Sequence, residues 1–265
     1  MTTRVSVIIP THFRSPELLG TAVESALRQR GAEVEVVVVN DGGPPDTLPG
    51  EFRRDRRVRY AVLSRSIGPC RARNLGIRIA SGSHIAYLDD DDLYAPDHLR
   101  RLLRTGARVA YADVERRIQD GDRILRSEYP YALPFSPDAL LVGNYIPLIA
   151  LLHERSCVDE AGGFDPAGDL LEDWEMILRW SRRWTFIRAP EATAIYINRV
   201  RSDQRSNADD RSLASVHAIY RRTRHLAAST PGVSERRRLA LQRRRMRAAR
   251  GLRPWDPVEL EWMFP

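Results

Sequence analysis

The first hundred residues alternate short β-branched apolar runs with amphipathic stretches, the pattern of a parallel sheet joined by crossover helices. Val5 to Ile9 predicts the first strand. Ser15-Pro16-Glu17 then reads as a helix N-cap with proline at the first helical position, and Leu18, Ala22, Ser25, Ala26 and Gln29 follow at helical spacing. Val34 to Val39 predicts the second strand, buried on both faces. Arg57 to Leu63 predicts a third strand, Arg71 to Ala80 a helix, and His84 to Leu88 a fourth strand.

Polar clusters close these strands. Strand one runs into Pro10-Thr11-His12, strand two into Asn40-Asp41-Gly42-Gly43, and strand four into Asp89-Asp90-Asp91-Asp92. Ligands of open α/β sheets bind at the carboxyl ends of the strands, so the three clusters are expected to meet at one crevice.

Beyond Ala95 the alternation loosens. Arg108 to Asp113 reads as a strand, and Glu115 to Glu128 as a hairpin turning at Gln119-Asp120-Gly121-Asp122. Leu170 to Trp180 returns to helical spacing, followed by two short β-rich pieces, Trp184 to Arg188 and Ala192 to Asn198. From Asp209 the chain reads as all-helical, with Leu213, Val216, Tyr220, Thr223 and Ala227 in one stripe. Pro231-Gly232 separates that helix from a very basic one, Glu235 to Arg250. The expected organisation is one α/β domain over 1–205, dividing into 1–112 and 113–205 where the alternation loosens, followed by a helical basic extension over 206–265.

A chain of 265 residues with 5 Trp can bury a core of ordinary size. Cys70 and Cys157 stand far apart, which excludes a Cys-x-x-Cys zinc site or a disulfide framework, and a reducing cytoplasm is the default expectation. The apolar run near Met1 is too short for a signal core or a membrane span. Formal net charge is +7, and all 42 basic residues are arginine. That bias fits a phosphate-rich or carboxylate-rich partner, and equally an arginine preference of the whole genome.

Four consecutive aspartates after a buried strand repel one another if all are ionised and unpaired. A divalent cation resolves the repulsion: Mg2+ or Mn2+ favours carboxylate oxygens and shares its remaining shell with substrate phosphates. Five ordered motifs carry the chemistry further. They are Val5-Ser6-Val7-Ile8-Ile9-Pro10-Thr11; Val37-Val38-Val39-Asn40-Asp41-Gly42; Arg73-Asn74-Leu75-Gly76-Ile77 with Ala80-Ser81-Gly82; Ala86-Tyr87-Leu88-Asp89-Asp90-Asp91-Asp92; and Ala161-Gly162-Gly163-Phe164-Asp165 with Glu172-Asp173-Trp174-Glu175. In this order the chain, over roughly residues 4–198, resembles the family 2 glycosyltransferases of GT-A fold.

The resemblance implies an α/β fold, a Rossmann-like and mostly parallel sheet flanked by helices, and an inverting, metal-dependent transfer from a nucleotide diphosphate sugar, with UDP the favoured nucleotide. It implies a donor site at Pro10, Thr11, Asp41, Arg73, Asn74, Asp89 and Asp90, with Thr11 and Asp41 on the nucleobase. Mn2+ or Mg2+ is expected at Asp91 and Asp89, with Asp91 first. Asp173 is implied as the base that takes the acceptor proton, beside Glu172. A plain helix N-terminus would also favour these two acids. Many relatives carry a histidine after the last core strand; here Ile197-Asn198-Arg199-Val200-Arg201 stands instead, which offers Arg199 and Arg201 to the diphosphate. Trp174, Trp180 and Trp184 suit a sugar platform, though at this spacing a core role is commoner.

Two other classes compete. A sugar nucleotidyltransferase shares the sheet and the aspartates but opens with a glycine-rich basic loop that Pro10-Thr11-His12-Phe13-Arg14 lacks. A non-catalytic module would use the basic tail, with Glu235-Arg236-Arg237-Arg238 and Arg243-Arg244-Arg245, on nucleic acid without sequence specificity or on an anionic leaflet, helped by Trp255, Trp262 and Phe264. The expected partners are a nucleotide-sugar donor and an acceptor with a free hydroxyl, saccharide, lipid-linked or small. The expected location is the cytoplasm or, through the tail, the inner face of the membrane, with no specific nucleic acid.

Overall fold

The computed structural model describes residues 2–167, 171–200 and 209–249. The chain begins β1 (Arg4–Thr11), α1 (Pro16–Leu27), β2 (Glu33–Asn40), α2 (Gly50–Arg54), β3 (Val58–Val62), α3 (Pro69–Ile79) and β4 (His84–Tyr87). It continues through β5 (Leu93–Tyr94), α4 (His98–Leu103), β6 (Val109–Asp120), β7 (Arg123–Glu128), α5 (Pro137–Leu140), β8 (Leu151–Glu154) and α6 (Ser156–Ala161). α7 (Glu172–Ser181), β9 (Ile187–Arg199), α8 (Asp209–Arg222), α9 (Arg224–Ser229) and α10 (Val233–Ala249) complete it.

Local chemistry places the early elements where the pattern predicts. The Ser15 hydroxyl accepts from the Leu18 amide at 3.4 Å, capping α1 ahead of Pro16. β2 is buried from Val34 to Asn40, and its one charged member there, Glu35, accepts from the Ser6 hydroxyl at 2.6 Å and the Ser81 hydroxyl at 2.9 Å.

Among the described residues the strands form one sheet in the order β3-β2-β1-β4-β8-β6-β9-β5, with β7 on β6. β1 lies between β2 and β4, parallel to both. The register pairs Thr11 with Asn40, and the Leu88 amide reaches the Ile8 carbonyl at 3.0 Å. The carboxyl ends of β1, β2 and β4 therefore finish side by side, as the polar clusters required. The sheet then departs from a purely parallel one. β8, which the pattern does not distinguish within an apolar run, is antiparallel to both β4 and β6, while β6 and β9 are parallel.

Two expectations change from β9 onward. The pieces predicted at Trp184 to Arg188 and Ala192 to Asn198 are one strand, Ile187–Arg199, paired along most of β6. Its register slips around Asp113, opposite Pro190, which has no amide to give to the ladder. The single stripe predicted from Leu213 to Ala227 is shared by α8 and α9, which part at Thr223. Trp174 and Trp180 are fully buried core residues, not a sugar platform.

α3 crosses β1 and β2 closely enough to exclude a side chain at Gly76. A Cβ there would stand 2.5 Å from Ile8 Cγ2 and 3.4 Å from Val39 Cγ2. Gly76→Ala is expected to cost about 1–3 kcal/mol through overpacking, read as a fall in Tm of several degrees. An unchanged Tm would mean that α3 lies farther from the sheet.

The basic tail is not a uniformly solvated helix. Val233, Arg237, Ala240 and Arg244 form the buried face of α10. Two of the tail's arginines thus point into the body, and the outward basic surface is correspondingly smaller. Arg201, Arg250, Trp255, Trp262 and Phe264 lie outside the described residues.

Candidate active site

The carboxylate run leaves β4 and is divided among different environments. Asp89 is 43% exposed and receives Arg73 Nη2 at 3.0 Å. Asp90 is buried, and its Oδ1 accepts from Arg14 Nε at 2.9 Å. Asp91 Oδ2 lies 3.2 Å from Arg14 Nη2 and 3.6 Å from Arg199 Nη1, which also donates to the Asp91 carbonyl at 3.0 Å. Asp92 is buried and reaches away from the others: its Oδ1 accepts from the Ile197 amide at 2.7 Å, while its Oδ2 is buried without a partner. Asp92 therefore ties the run to the end of β9 and sets Arg199 beside Asp91.

Three arginines thus offset part of the like-charge repulsion that the sequence alone assigns to a cation. Burial, reinforced by Asp89 and Asp90 against Arg14 and Arg199, pushes the Asp91 carboxyl up to about 6. Burial pushes Asp90 up as well, against the Arg14 guanidinium, and Asp92 well above the usual carboxylate range, with the charges of Asp91 and Asp89 adding to the rise. Arg14 clamps two consecutive aspartates, and its role was not legible: it sits in a loop, 76 residues before Asp90.

Arg73 connects the run to the far side of the crevice. It is buried on α3, donates from Nη1 to Glu172 Oε1 at 2.5 Å and from Nη2 to Asp89, and lies over the Phe164 ring at 5.6 Å. Glu172 and Asp173 open α7, which starts from Leu171 in a left-handed conformation at φ 63°. Asp173 Oδ2 accepts from Asn144 Nδ2 at 3.0 Å, and its Oδ1 from the Trp174 amide at 2.7 Å. Burial, then the adjacent Glu172 charge, pushes its carboxyl up to about 7. Acids separated by some eighty residues in the sequence are thereby joined through one guanidinium.

The remaining predicted residues sit around this bridge in different states of engagement. Pro10 and Thr11 end β1, and the buried Thr11 hydroxyl lies beside the Asp90 carboxylate, where it favours the ionised form. Asp41 is buried at the end of β2, where Oδ2 accepts from the Ser66 hydroxyl at 2.7 Å and the Gly68 amide at 3.0 Å, and Oδ1 from the Ile67 amide at 2.7 Å. It braces the loop that starts α3. Asn74 is bound at both ends to the Phe164 backbone, donating to its carbonyl at 2.8 Å and accepting from its amide at 3.1 Å. A Cβ on Gly163 would stand 2.6 Å from Asn74 Oδ1, which explains a glycine there. Next to Thr11, Phe13 is 68% exposed at φ 51°, a left-handed conformation uncommon for a bulky residue.

Hard oxygen donors at the crevice, Asp91 and the exposed Asp89, fit a divalent cation that completes its shell with phosphate oxygens and water. They do not fit a cage of protein ligands alone. Among the described residues no group of three or more His, Cys, Asp or Glu is arranged to hold a metal.

Residues 6–149, more than half of the chain, match Glycosyl transferase family 2. The chain belongs to the family 2 glycosyltransferases. The match holds the first four motifs in order; Glu172-Asp173 lies beyond it. This enzyme is 27% identical over 200 residues to the uncharacterized glycosyltransferase YwdF of Bacillus subtilis, covering 73% of this chain and 74% of YwdF. It is 42% identical over 109 residues to the succinoglycan biosynthesis protein ExoO of Rhizobium meliloti, covering 39% of this chain but 31% of ExoO. Among solved structures, the mannosyltransferase PcManGT of Pyrobaculum calidifontis, in complex with GDP-Man and Mn2+, shares the fold at a TM-score of 0.64 and 16% identity, covering 85% of this chain and 65% of that one. Residues 1–349 of S. aureus TarS in complex with UDP-GlcNAc do so at 0.60 and 16%, covering 82% and 65%. The glycosyltransferase therefore spans about two thirds of the length of these solved relatives and less than a third of ExoO. Family membership displaces the nucleotidyltransferase and binding-module readings of the catalytic body. No helix among the described residues is long and apolar enough to cross a membrane.

Proposed function

We propose that this glycosyltransferase moves a sugar from a UDP-sugar to an acceptor hydroxyl in one in-line displacement, with inversion at the anomeric carbon and dependence on Mn2+ or Mg2+. The observation that carries the reading is the Asp89–Arg73–Glu172 bridge. It joins the strand-end carboxylates, suited to a nucleotide diphosphate, to a second acidic pair across the crevice, suited to an acceptor.

Asp91 and Asp89 would hold the cation, which supplies charge stabilisation to the departing diphosphate. Arg199 lies beside Asp91, and a guanidinium at this position can hydrogen-bond phosphate oxygens in fork geometry. Thr11, at the end of β1 beside Asp90, offers a buried hydroxyl to the nucleoside. Asp41 Oδ1 takes one donor in the structure and can accept a second, such as a base imide proton. Asp173 takes the proton of the attacking hydroxyl, and a carboxylate near 7 is well matched to that task at neutral pH. Asn144 and the Trp174 amide fix the direction of its lone pairs.

The UDP and Mn2+ parts of this reading draw support from relatives whose complexes contain UDP-GlcNAc, or GDP-Man with Mn2+. Calorimetric titration with UDP, GDP and dTDP, each with and without Mn2+, tests them together. The expected result is binding of UDP that requires the cation. Binding of GDP or dTDP in its place would overturn the nucleotide assignment, and metal-independent binding of equal strength would remove the cation.

A further inference from the structure

Three successive backbone carbonyls at the end of α5 are each taken by a side chain from a different helix. Trp174 Nε1 of α7 donates to the Leu140 carbonyl at 2.7 Å. Arg237 Nε of α10 donates to the Leu141 carbonyl at 2.7 Å. The Tyr220 hydroxyl of α8 donates to the Val142 carbonyl at 2.6 Å. Helix ends leave such carbonyls without intrahelical partners, so some capping is required. Two of these three caps come from the C-terminal extension, about eighty and ninety-six residues away.

The capping groups are themselves locked together. Arg237 lies over the Tyr220 ring at 4.4 Å, and its remaining nitrogens donate to the Tyr220 carbonyl at 3.2 Å and the Thr223 hydroxyl at 2.6 Å. Tyr220 meets Trp174 edge to face, with ring centroids 6.1 Å apart. Two residues beyond Val142 stands Asn144. Its Oδ1 accepts from the Ile146 amide at 3.2 Å, which turns its NH2 group toward Asp173, 3.0 Å away.

We infer that Asn144 is a positioning residue for the Asp173 carboxylate, and that the C-terminal helices hold Asn144 in place through Tyr220 and Arg237. This rests on the reading of Asp173 as the base. The extension is then part of the catalytic body, with its inward arginine serving the acceptor side of the reaction. Donation from Asn144 favours the ionised form of Asp173, against the burial and the Glu172 charge that oppose it. Arg73, beyond Glu172, acts in the same direction as Asn144, and Asp89 in the opposite one.

The test reads Asp173 directly in the substrate-free full chain, by carbon-13 NMR of side-chain-labelled aspartate across a pH series, with the resonance assigned by its loss in Asp173→Asn. The native midpoint is expected near 7. Asn144→Ala is expected to raise it by about one unit, the effect of losing one hydrogen bond to a charged group. Tyr220→Phe keeps the ring over Trp174 and beneath Arg237 and removes only the hydroxyl; it is expected to raise the midpoint by roughly half as much, and Arg237→Lys to act in the same direction. Leu239→Ala, on the outward face of α10, is the control and is expected to leave it unchanged. An Asn144→Ala midpoint equal to the native one overturns the role of Asn144. A shift in Asn144→Ala with none in either tail variant overturns the role of the extension. Neither outcome depends on turnover, so Asp173 can fail as the base, by Asp173→Asn remaining active, without deciding this linkage.

Discussion

Replacing Asp173 by asparagine is expected to lower kcat by roughly three orders of magnitude, within the range for loss of a general base, while nucleotide binding stays within about twofold of the parent. The asparagine is close in size, but its single Oδ1 can accept from Asn144 or from the Trp174 amide and not from both, so a thermal melt beside the kinetics separates lost chemistry from lost stability. The pH profile sharpens the test. In the free enzyme the Asp173 carboxyl is raised to about 7, so it is protonated below that value and cannot take a proton. kcat/KM for the parent should therefore climb as pH rises through about 7 and level off above it. Any residual activity of Asp173→Asn should lack this limb. A variant that keeps both near-parental turnover and the limb would assign the base elsewhere, with Glu172 the adjacent candidate.

Asp91→Asn is expected to cut turnover by about three orders of magnitude as well, on the scale of losing several kcal/mol of transition-state charge stabilisation. Unlike Asp173→Asn, it should abolish the metal-dependent part of nucleotide binding, so calorimetry separates the two variants. A raised Asp91 carboxyl also fixes the sign of two pH effects. Cation binding needs the ionised form, so affinity for Mn2+ should weaken as pH falls below about 6. Stability runs the other way. The folded value lies above the unfolded value near 4, so between these limits the folded state binds more protons, and the metal-free protein loses stability as pH rises through the window. That displacement corresponds to a penalty on the order of 3 kcal/mol above pH 6. Asp91→Asn removes the penalty but also removes the partner of Arg14 and Arg199, so above pH 6 the metal-free variant should be at least as stable as the parent by thermal melting. Near-native turnover in Asp91→Asn would sink the cation assignment.

The convergence of the strand-end clusters was legible because its determinants are local. Strand-end polar clusters need only the parallel register of β1, β2 and β4 to converge, and the buried run Val34 to Val39 already signals that register. The surroundings of Asp173 were less legible because their contacts are long-range. Asn144 sits in an irregular segment, and nothing in Gly143-Asn144-Tyr145 marks it as a partner of Asp173, 29 residues on. Arg14 gives no periodic signal. Arg237 and Arg244 fall at positions where an amphipathic reading places solvent, because pattern analysis scores arginine as polar while here Arg237 answers buried carbonyls ninety-six residues earlier in the chain. The roles of Asn74 and Asp41 illustrate the complementary limit. Their motifs identify the neighbourhood, but which group each amide or carboxylate meets depends on loop geometry, and here much of their hydrogen-bonding capacity is taken by the Phe164 backbone and the 66–68 loop.

The capped carbonyls of Leu140, Leu141 and Val142 also bear on how such enzymes can be recombined. Motif boundaries suggest a seam near residue 205, where an acceptor half could be exchanged between relatives and the tail left behind. The seam defined by hydrogen bonds runs elsewhere, because the turn that carries Asn144 shares its caps with helices that lie after that point. A chimera joined at the motif boundary would inherit foreign donors for two of the three acceptors, the carbonyls of Leu141 and Val142. An exchange between relatives is therefore expected to keep these caps only where the segment around Leu140 to Asn144 travels together with α8 and α10.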